Sequence, residues 1–249
     1  MIKHTINIEL NSFRLDSVPV GGGVKNSLTG ITKGFDNKIM DGLDNSGFGF
    51  SSSGGDTTPE QTINLVSGQT IIIENKEYTV IEQVEGNKYK VLAETYFLNK
   101  KFDDSYPDDN NYATSSIAEY LDREYYTREL KKIIDAIVET SIQQKVFSTG
   151  YDGGKNNPTW TGETMNAGTH KVFIPSWDEV TKVYGSDFES LKAYSNGKNI
   201  WLRDNYNSDS EVLYVHHNGV LLAISPRYDN GYFRPAFVLD LSKVHFTVK

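Results

Sequence analysis

The order of short β-type and helical segments between residues 61 and 249 constrains the fold more than any other feature of the sequence. Segments rich in β-branched residues and separated by turns come first, at Thr70–Ile73, Tyr78–Glu82 and Tyr89–Ala93, and they predict an antiparallel meander. Helical patterns follow, and the chain then returns to short strand patterns. Strands, then helices, then strands again predict an α+β fold.

Two helices are predicted directly after the meander. Ser116 with Glu119 three residues later is a capping-box pattern, which predicts a first helix over Ile117–Tyr125. A second helix, capped by Thr127, is predicted because apolar residues recur at helical spacing and form one stripe. These apolar residues are Leu130, Ile133, Ile134, Ile137 and Val138.

Two more helices and a set of short strands are predicted in the second half of the chain. The Gly/Asn-rich stretch Ser148–Gly168 is interpreted as a loop. Capping patterns at Ser176 and Ser186 begin the third and fourth helices, which Gly185 and Gly197 should end. The strands predicted after them are Ile200–Arg203, Val212–His216, Val220–Ile224, Phe233–Leu239 and Val244–Val248.

Residues 1–60 differ in character from residues 61–249, which are predicted to form the binding domain. Residues 2–10 alternate apolar and polar side chains, a pattern typical of a half-buried strand. The remainder of this segment is rich in Gly, Ser, Asn and Asp, and residues 47–60 are interpreted as a flexible linker. Two interpretations of the segment stay open: a floppy leader, or a docking arm that becomes ordered against another subunit.

Composition excludes several classes of function. The absence of cysteine excludes thiol nucleophiles, disulfides, iron–sulfur clusters and zinc–thiolate sites. The net charge is -8 without any Lys/Arg-rich run, so nucleic acid is not an expected partner. No apolar run approaches the roughly 20 residues needed to span a bilayer, so membrane insertion is not expected. The start MIKHTINIEL lacks the apolar region of a secretory signal peptide, and none is expected.

Four sequence words, in order, carry a resemblance to a known family. They are Ser115–Leu121 (SSIAEYL), Lys171–Val180 (KVFIPSWDEV), Ile200–Asp204 (IWLRD) and Gly231–Leu241 (GYFRPAFVLDL). The chain over about residues 70–245 resembles the C-type-lectin-like domains of bacteria and phages, which are related to retroelement variable proteins and, distantly, to formylglycine-generating enzymes. The resemblance implies a small twisted antiparallel sheet with flanking helices, paired N- and C-terminal strands, and long irregular loops that display a binding surface.

Histidine and serine patterns indicate no catalytic or metal site. His216 and His217 are neighbours on a predicted strand, so their rings are expected on opposite faces and not on one metal ion. No HxxxH or HxH spacing exists, and no GxSxG elbow appears. The chemistry of formylglycine-generating relatives requires cysteine, which is absent. We therefore expect no enzyme, no metal and no cofactor.

The acidic segment Phe102–Asn111 (FDDSYPDDNN) gathers oxygen donors of the kind that calcium prefers. Its spacing does not match an EF-hand loop, and Tyr106–Pro107 divides the group. A solvated acidic turn is therefore favoured, with a calcium site as the alternative. The donors are Asp103, Asp104, Asp108, Asp109, Asn110 and Asn111.

Two arginines, Arg203 and Arg234, lie within apolar words of the sequence. A buried guanidinium must be paired or hydrogen-bonded. Both are therefore predicted to be structural, holding loop carbonyls or a carboxylate, rather than to contact a ligand.

The segment 204–232 is the predicted binding site. Residues 204–210 (DNYNSDS) and 227–232 (RYDNGY) mix tyrosine with Asn, Ser and Asp, a composition typical of a paratope. The alternative is a polar loop pair with incidental tyrosines. We expect the ligand-binding residues to form one exposed patch, made of Asp204, Tyr206, Asn207, Tyr214, His216, Tyr228, Asn230 and Tyr232.

These expectations describe a non-enzymatic binding protein on a virion or an extracellular surface. The family and the predicted arm favour a phage tail or baseplate component, or an adhesin, that contacts a host-surface protein or glycan through its C-terminal loops. Other particle subunits would bind residues 1–60, and a homo-oligomer stays open. The alternatives are a bacterial ligand-binding module, a structural virion protein that decorates or spaces, and a hydrolase on the same scaffold.

Overall fold

The computed structural model describes residues 63–94, 98–105, 109–148, 150–207 and 210–249. The predicted arm and linker, residues 1–60, lie outside these ranges, as do Asp108 of the acidic segment and part of the predicted 204–210 loop.

An antiparallel sheet of six strands joins the beginning and the end of the described chain. Its order is β15-β1-β2-β3-β14-β5. Ile71 pairs with Val248, which confirms the predicted pairing of the first and last strands. Glu74 and Asn75 both have positive φ, as a two-residue hairpin turn requires. The strands are β1 (Thr70–Ile73), β2 (Lys76–Glu85), β3 (Lys88–Ala93), β5 (Ile137–Val138), β14 (Ala236–Asp240) and β15 (Thr247–Val248).

A second, mixed sheet is built around strand β10 (Asn199–Tyr206). Its path is β12-β11-β10-β13-β4, and β6 pairs with both β10 and β9. Strands β13 and β6 run parallel to β10, whereas the other pairs are antiparallel. The other strands are β4 (Leu98–Asn99), β6 (Thr140–Ser148), β9 (Thr159–His170), β11 (Glu211–Val215), β12 (Leu221–Ile224) and β13 (Gly231–Phe233), with a separate hairpin of β7 (Tyr151–Asp152) and β8 (Lys155–Asn156).

The first predicted helix exists and extends further than predicted. It runs without a break through α1 (Ser116–Tyr120), a π-helical turn (Leu121–Tyr125) and α2 (Tyr126–Glu129). Its cap is Ser115, one residue earlier than predicted, whose hydroxyl accepts a hydrogen bond from the Ala118 N–H. Short 3-10 helices cover Tyr112–Thr114, Lys131–Ala136 and Leu241–Lys243.

The third and fourth predicted helices are α3 (Trp177–Tyr184) and α4 (Phe188–Ser195). The capping box of Ser176 and its partner glutamate is confirmed in α3, and Gly185 ends that helix with a φ of 81°. The prediction for α4 was wrong by one residue at each end. Asp187 caps it instead of Ser186, and Asn196 in the left-handed region ends it just before Gly197.

The predicted second helix over residues 127–138 is wrong. After α2 the chain forms a 3-10 helix, and Ile137 and Val138 then pair with Leu239 and Val238 on β14. The apolar stripe is buried in part, with Leu130 and Ile133 in the core. Pairing with a buried strand outweighs the local helical spacing, since intrinsic propensity is a weak prior that tertiary context overrides.

The loop predicted over Ser148–Gly168 is also wrong, because about half of that stretch belongs to the long β9 strand paired with β6, and the β7–β8 hairpin lies before it. Gly162 and Gly168 have positive φ, and the pairing register shifts near both of them. Glycines that permit bulges therefore gave the stretch a loop-like composition. The predicted strand Phe233–Leu239 is divided at Pro235, which has no N–H for a ladder, and its two parts join different sheets.

The fold is therefore α+β, with mostly antiparallel sheets and few helices, as the order of elements predicted. One contiguous hydrophobic core joins residues of both sheets and the helices, including Phe102, Phe173, Trp201 and Phe237. Among the described residues, no helix is long and apolar enough to cross a membrane.

Candidate functional site

Strand β10 holds two groups of side chains in place, one at each half. Ile200 near its start pairs with Val215 on β11 and with Tyr232 on β13. Arg203 and Asp204 near its end are buried, and Asn205 pairs with Val146 on β6. The first half supports an aromatic surface, and the second half forms one wall of a charged cleft.

The aromatic surface consists of Tyr214, His216, Tyr228 and Tyr232. Tyr214 and Tyr228 pack against buried Trp201, His216 packs against Tyr214, and Tyr232 lies beside Ile200 on β10. The Trp201 ring lies 6.0 Å from the Tyr214 ring and 6.4 Å from the Tyr228 ring, between centroids. The Tyr214 and Tyr228 centroids are 6.5 Å apart, and His216 lies 6.2 Å from Tyr214. These edge-to-face and tilted contacts fix the orientation of the outer rings.

The Trp201 indole anchors this group to the neighbouring strands. Its N–H donates a 2.9 Å hydrogen bond to the Lys100 carbonyl. Gly231 lies directly against the ring, since a Cβ at that position would come within 2.0 Å of the indole nitrogen. The glycine of the word GYFRPAF is therefore required by the close approach of Trp201. Tyr232, the next residue, carries the Lys198 ammonium 4.3 Å above its ring.

The predicted patch is only partly exposed. Tyr228, Tyr232 and His216 are half-buried, and Asn230 is exposed. The prediction of exposure is wrong for Asp204, which has no accessible surface, and for Tyr214, whose exposed fraction is 7%. Both side chains lie on central strands that are covered on both faces.

The prediction of one continuous patch is also wrong. Tyr206 and Asn207 lie at the far end of β10, where Asn207 donates a 3.0 Å hydrogen bond to the Phe147 carbonyl. Tyr232 pairs with Ile200, six residues earlier along the strand. A strand rises about 3.3 Å per residue, so about 20 Å separate the two ends. The predicted site residues are close in sequence, but Tyr206 and Asn207 lie at one end of β10 and Tyr232 lies beside its other end.

The prediction that His216 and His217 point to opposite faces is wrong as well. Strand β11 ends at Val215, and the two histidines begin a turn in which their rings lie 3.8 Å apart. The alternation of a strand does not apply beyond its end. The Nδ1 of His216 lies 2.7 Å from the Asn218 amide oxygen, and Gly219 completes the turn. Among the described residues, no group of three or more His, Asp or Glu side chains is placed to hold a metal ion.

A shallow cavity of about 540 Å³ opens over the loop that follows β12. Its lining includes Tyr228 and Asn230 of the predicted site, together with Ile224, Arg227 and Asp229. Asp229 is paired with Lys101 at 3.1 Å. Tyr228 therefore presents one edge to this cavity while packing against Trp201.

A second cavity, the charged cleft, has a volume of about 400 Å³ and lies between β2, β3, β6, β10 and helix α3. At its centre Arg203 and Glu179 form a bidentate ion pair, with nitrogen–oxygen distances of 2.6 and 2.9 Å. Arg203 also donates to the carbonyls of Gln143 (2.7 Å) and Ile174 (2.9 Å). This confirms the prediction that Arg203 holds carbonyls and a carboxylate.

The Glu179 side chain accepts four hydrogen bonds. One oxygen accepts from Arg203 and from the Ser176 backbone N–H (2.9 Å), which completes the capping box of α3. The other accepts from Arg203 and from the Lys90 ammonium (2.6 Å). Burial alone would raise the pKa of Glu179, but these cations outweigh burial and lower the pKa to about 2. The carboxyl is therefore ionised in the folded protein.

Charge pairing continues outward from Glu179 to the rim of the cleft. Lys90 also contacts Glu82 at 2.7 Å, and Glu82 in turn contacts Lys182 of α3 at 2.6 Å. Burial tends to raise the pKa of Glu82, and the two lysines turn the net shift downward. The chain of alternating charges ties the first sheet to α3.

Asp204 is a second buried carboxyl of the cleft, and it accepts hydrogen bonds from two backbone N–H groups. One oxygen accepts from the Trp177 N–H at the start of α3 (2.6 Å), and the other from the Lys145 N–H of β6 (3.0 Å). Burial raises the pKa of Asp204 to about 6, although Arg203 and the two N–H donors oppose the shift. The residue predicted as an exposed ligand contact is thus a buried link between β6, β10 and α3.

The acidic segment uses its described carboxylates for local structure. Asp103 is buried and accepts hydrogen bonds from the backbone N–H (3.2 Å) and the hydroxyl (3.0 Å) of Ser116. Asp109 accepts from the Asn111 N–H (2.8 Å) and from the Thr114 hydroxyl (2.6 Å). These bonds stabilise the start of the helical run.

The charged cleft was missed by sequence reasoning because its members come from five separate segments. The capping pattern at Ser176 marked Glu179, and the apolar word IWLRD marked Arg203, but nothing indicated that the two would meet. Glu82 and Lys90 lie opposite each other across the β2–β3 hairpin. The one signal that could have paired them is the turn between the predicted segments Tyr78–Glu82 and Tyr89–Ala93, because counting outward from it places Glu82 opposite Lys90.

Comparison with known proteins adds one match. Neither a search of curated proteins nor a search of solved structures found a match. A family model described as "Domain of unknown function (DUF6273)" matches residues 86–241. The match covers β3, the helices, strand β10 and the aromatic surface, which is more than half of the chain. The chain belongs to the DUF6273 family of domains of unknown function.

Proposed function

We propose that the protein is a non-enzymatic binding protein and that its aromatic surface contacts the ligand. The observation that carries the proposal is the half-buried ring of Tyr228, which packs against buried Trp201 and lines an open cavity of about 540 Å³. Tyr232, four residues later, adds a second half-buried ring. Rigid aromatic side chains lose little entropy on binding and are over-represented at binding hot spots.

The surrounding polar groups suit recognition better than catalysis. Asn230 is exposed, and the Lys198 ammonium lies over the Tyr232 ring. Adaptable hydrogen-bonding groups around stiff aromatic anchors are typical of a surface that recognises a protein or a glycan.

We propose further that the binding domain, residues 61–249, has a C-type-lectin-like fold. In support, the first and last strands of the described chain pair in one antiparallel sheet, and irregular segments connect the short C-terminal strands. The four sequence words fall on the helical run, α3, β10 and the β13–β14 region. A solved relative of this family with a different topology would refute this part of the proposal.

The setting that fits best is a virion or an extracellular surface, as in a phage tail or baseplate component or an adhesin. On this proposal residues 1–60 dock the protein onto other particle subunits, and the aromatic surface faces a host-surface protein or glycan. Fold alone does not carry this assignment, so it depends on the binding experiment.

The experiment uses the labelled full chain on a glycan microarray and on a panel of intact bacterial cells. The test variant combines Tyr228→Ala with Tyr232→Ala. The control is Tyr126→Ala, because Tyr126 is also half-buried and also carries a lysine ammonium over its ring, at 4.6 Å. We expect the test variant to bind at least about tenfold more weakly, roughly 1.4 kcal/mol, and the control to bind like the unmodified chain.

Two results would contradict the proposal. Equal binding by the test variant and the unmodified chain would show that the aromatic surface does not contact the ligand. No binding of the unmodified chain to any glycan or cell would favour the structural, decorating protein instead.

A further inference from the structure

The charged cleft is a second cavity, apart from the aromatic surface, and its volume of about 400 Å³ lies within the range of small-molecule sites, about 300–1,000 Å³. Its walls come from both sheets and from α3, so its shape is fixed by regular structure. Ser141 and Gln143 on β6 are exposed at its edge. A ligand can therefore enter without displacing an element of the fold.

The ionised groups of the cleft balance one another. Its lining holds four cationic side chains, from three lysines and Arg203, and four carboxyl groups. At the rim Lys145 pairs with Asp178 at 2.6 Å, and Lys182 pairs with Glu82 at 2.6 Å. A charged ligand would have to displace one of these partners and leave a charge unpaired. The cleft therefore disfavours both anions and cations.

A hydroxyl group fits between such paired charges. It can donate its proton to a carboxylate while its lone pairs accept from an ammonium group, so the existing ion pair need not break. Hydrogen bonds to charged groups are also stronger than those between neutral groups. A ligand with several hydroxyls can repeat this contact at Lys145–Asp178 and at Lys182–Glu82.

An exposed tryptophan lies beside the rim. Trp160 on β9 is 49% exposed, and it is the only aromatic residue among the large exposed hydrophobic residues of the described chain. The Lys145 ammonium lies 5.2 Å from the centroid of the Trp160 ring and 2.6 Å from the Asp178 carboxylate. The indole N–H donates to the Glu163 carbonyl at 2.8 Å, which fixes the ring in place. Lys145 covers part of one face of the ring, and the exposed remainder of the indole provides an apolar surface next to paired charges.

We infer that the charged cleft, with Trp160 at its rim, binds a neutral polyhydroxylated ligand, that is, an uncharged saccharide. The sugar hydroxyls contact the paired charges, and the apolar face of the sugar ring packs against the exposed indole. This site is separate from the aromatic surface and does not depend on the function proposed for it.

The test titrates the full chain with a panel of neutral mono- and disaccharides: glucose, galactose, mannose, N-acetylglucosamine, maltose and lactose. Glucuronate and glucosamine serve as charged counterparts. The readout is the NMR signal of the Trp160 indole N–H, assigned by its loss in Trp160→Ala, and calorimetry gives the affinity. We expect at least one neutral sugar to bind saturably in the millimolar range, and its charged counterpart to bind at least about tenfold more weakly.

Three variants separate the cleft from other surfaces. Trp160→Ala removes the rim contact, and Ser141→Trp fills the edge of the cleft with a bulky side chain. Both should weaken sugar binding at least about tenfold. Tyr126→Ala, again an aromatic residue beneath a lysine, should leave it unchanged. The double variant Tyr228→Ala with Tyr232→Ala should also leave it unchanged, which keeps this result independent of the proposed function.

Several results would overturn the inference. They are the absence of saturable binding by every neutral sugar in the panel, equal or tighter binding of the charged counterparts, and unchanged binding by both Trp160→Ala and Ser141→Trp. Loss of sugar binding only in the Tyr228/Tyr232 variant would assign the sugar to the aromatic surface and would also overturn it.

Discussion

Two buried arginines in the described part of the chain have similar sequence surroundings but different partners. Arg203 and Arg234 each follow a short apolar strand segment, and their exposed fractions are 5% and 1%. Arg203 meets Glu179 through two nitrogens, and the side chain of Glu179 is only 8% exposed. Arg234 meets Glu94 through one nitrogen at 2.9 Å, and the side chain of Glu94 is 25% exposed.

The remaining contacts also differ. Arg234 donates to the carbonyls of Ala93 (3.1 Å) and Tyr194 (3.2 Å), and its guanidinium lies 4.9 Å from the Tyr194 ring and 5.7 Å from the Tyr184 ring. A guanidinium can thus be kept buried by a carboxylate or by carbonyls and aromatic rings. The comparison predicts that loss of the carboxylate destabilises the Arg203 site more than the Arg234 site.

The largest loss of stability is expected for Glu179→Gln. The substitution leaves the charges of Arg203 and Lys90 buried without their shared carboxylate, and removing one partner of a buried ion pair costs about 3–5 kcal/mol. Urea unfolding at pH 7 measures the loss. The control is Glu119→Gln, because Glu119 pairs with Arg123 while 62% exposed, and it should change stability by less than about 0.5 kcal/mol. A loss below 1 kcal/mol for Glu179→Gln would show that the pair is not essential to the fold.

The next-largest effect is the dependence of stability on pH that is caused by Asp204, the residue after Arg203. The pKa of Asp204 is about 6 in the folded protein, above the ordinary value of 3.8. Because the folded pKa is raised, the stability contributed by the protonated group is complete below about pH 4 and is lost as pH rises through 6. Two pKa units correspond to about 3 kcal/mol.

Asp204→Asn removes this titration, so unfolding of both proteins at pH 4, 5.5 and 7 tests it. We expect the stability of the unmodified chain, measured relative to the variant, to fall by about 2–3 kcal/mol between pH 4 and 7. If the stability of the unmodified chain relative to the variant instead rises with pH, the two N–H donors and Arg203 outweigh burial, and the pKa of Asp204 is not raised. The comparison cancels the titration of all other groups that the two proteins share.

Glu94→Gln should have a smaller effect than Glu179→Gln. Its carboxylate is partly solvated, and the Arg234 guanidinium keeps two carbonyl contacts without it. Removing one partner of a fully buried ion pair costs about 3–5 kcal/mol, and the Arg234–Glu94 pair is partly solvated, so we expect a smaller loss of about 1–2 kcal/mol. Equal losses for the two variants would remove the distinction between the two arginine sites.

The sequence predicted the two arginines as structural because an unpaired guanidinium cannot be buried, and that rule needs no knowledge of the fold. It also predicted the fold class, the first and third helices, and the pairing of the first and last strands. These features depend on local signals or on the family resemblance. The partners Glu179 and Glu94 could not be predicted, because they are 24 and 140 positions away from their arginines and meet them only through the topology.

The binding patch was predicted from composition alone, and composition does not report which side of a strand a residue occupies. Tyr214 and Asp204 lie on strands covered on both faces, so strand alternation did not expose them. Tyr206 was assigned to the patch by its nearness in sequence, whereas the length of β10 separates it from Tyr232. The binding role of the remaining residues stays a prediction.

The smallest change in stability is expected for Tyr194→Phe. This substitution tests whether the Arg234 site is stabilised by the ring of Tyr194 or by its hydroxyl. Tyr194 has no accessible surface, and within the described part of the chain its hydroxyl has no hydrogen-bond partner. A buried polar group without a partner destabilises a protein, so its removal should leave stability unchanged or raise it by up to about 1 kcal/mol. The ring that packs on Arg234 remains in the variant.

Tyr112→Phe is the matched control, because Tyr112 is equally buried but its hydroxyl accepts a 3.1 Å hydrogen bond from the Ile174 N–H. That substitution leaves a buried donor unpaired and should cost about 1–2 kcal/mol in urea unfolding. The opposite order, with Tyr194→Phe the more destabilising of the two, would mean that the Tyr194 hydroxyl is bonded in solution. The Tyr194 hydroxyl would then stabilise the Arg234 site together with the existing contacts to Glu94, the Tyr184 hydroxyl and two carbonyls.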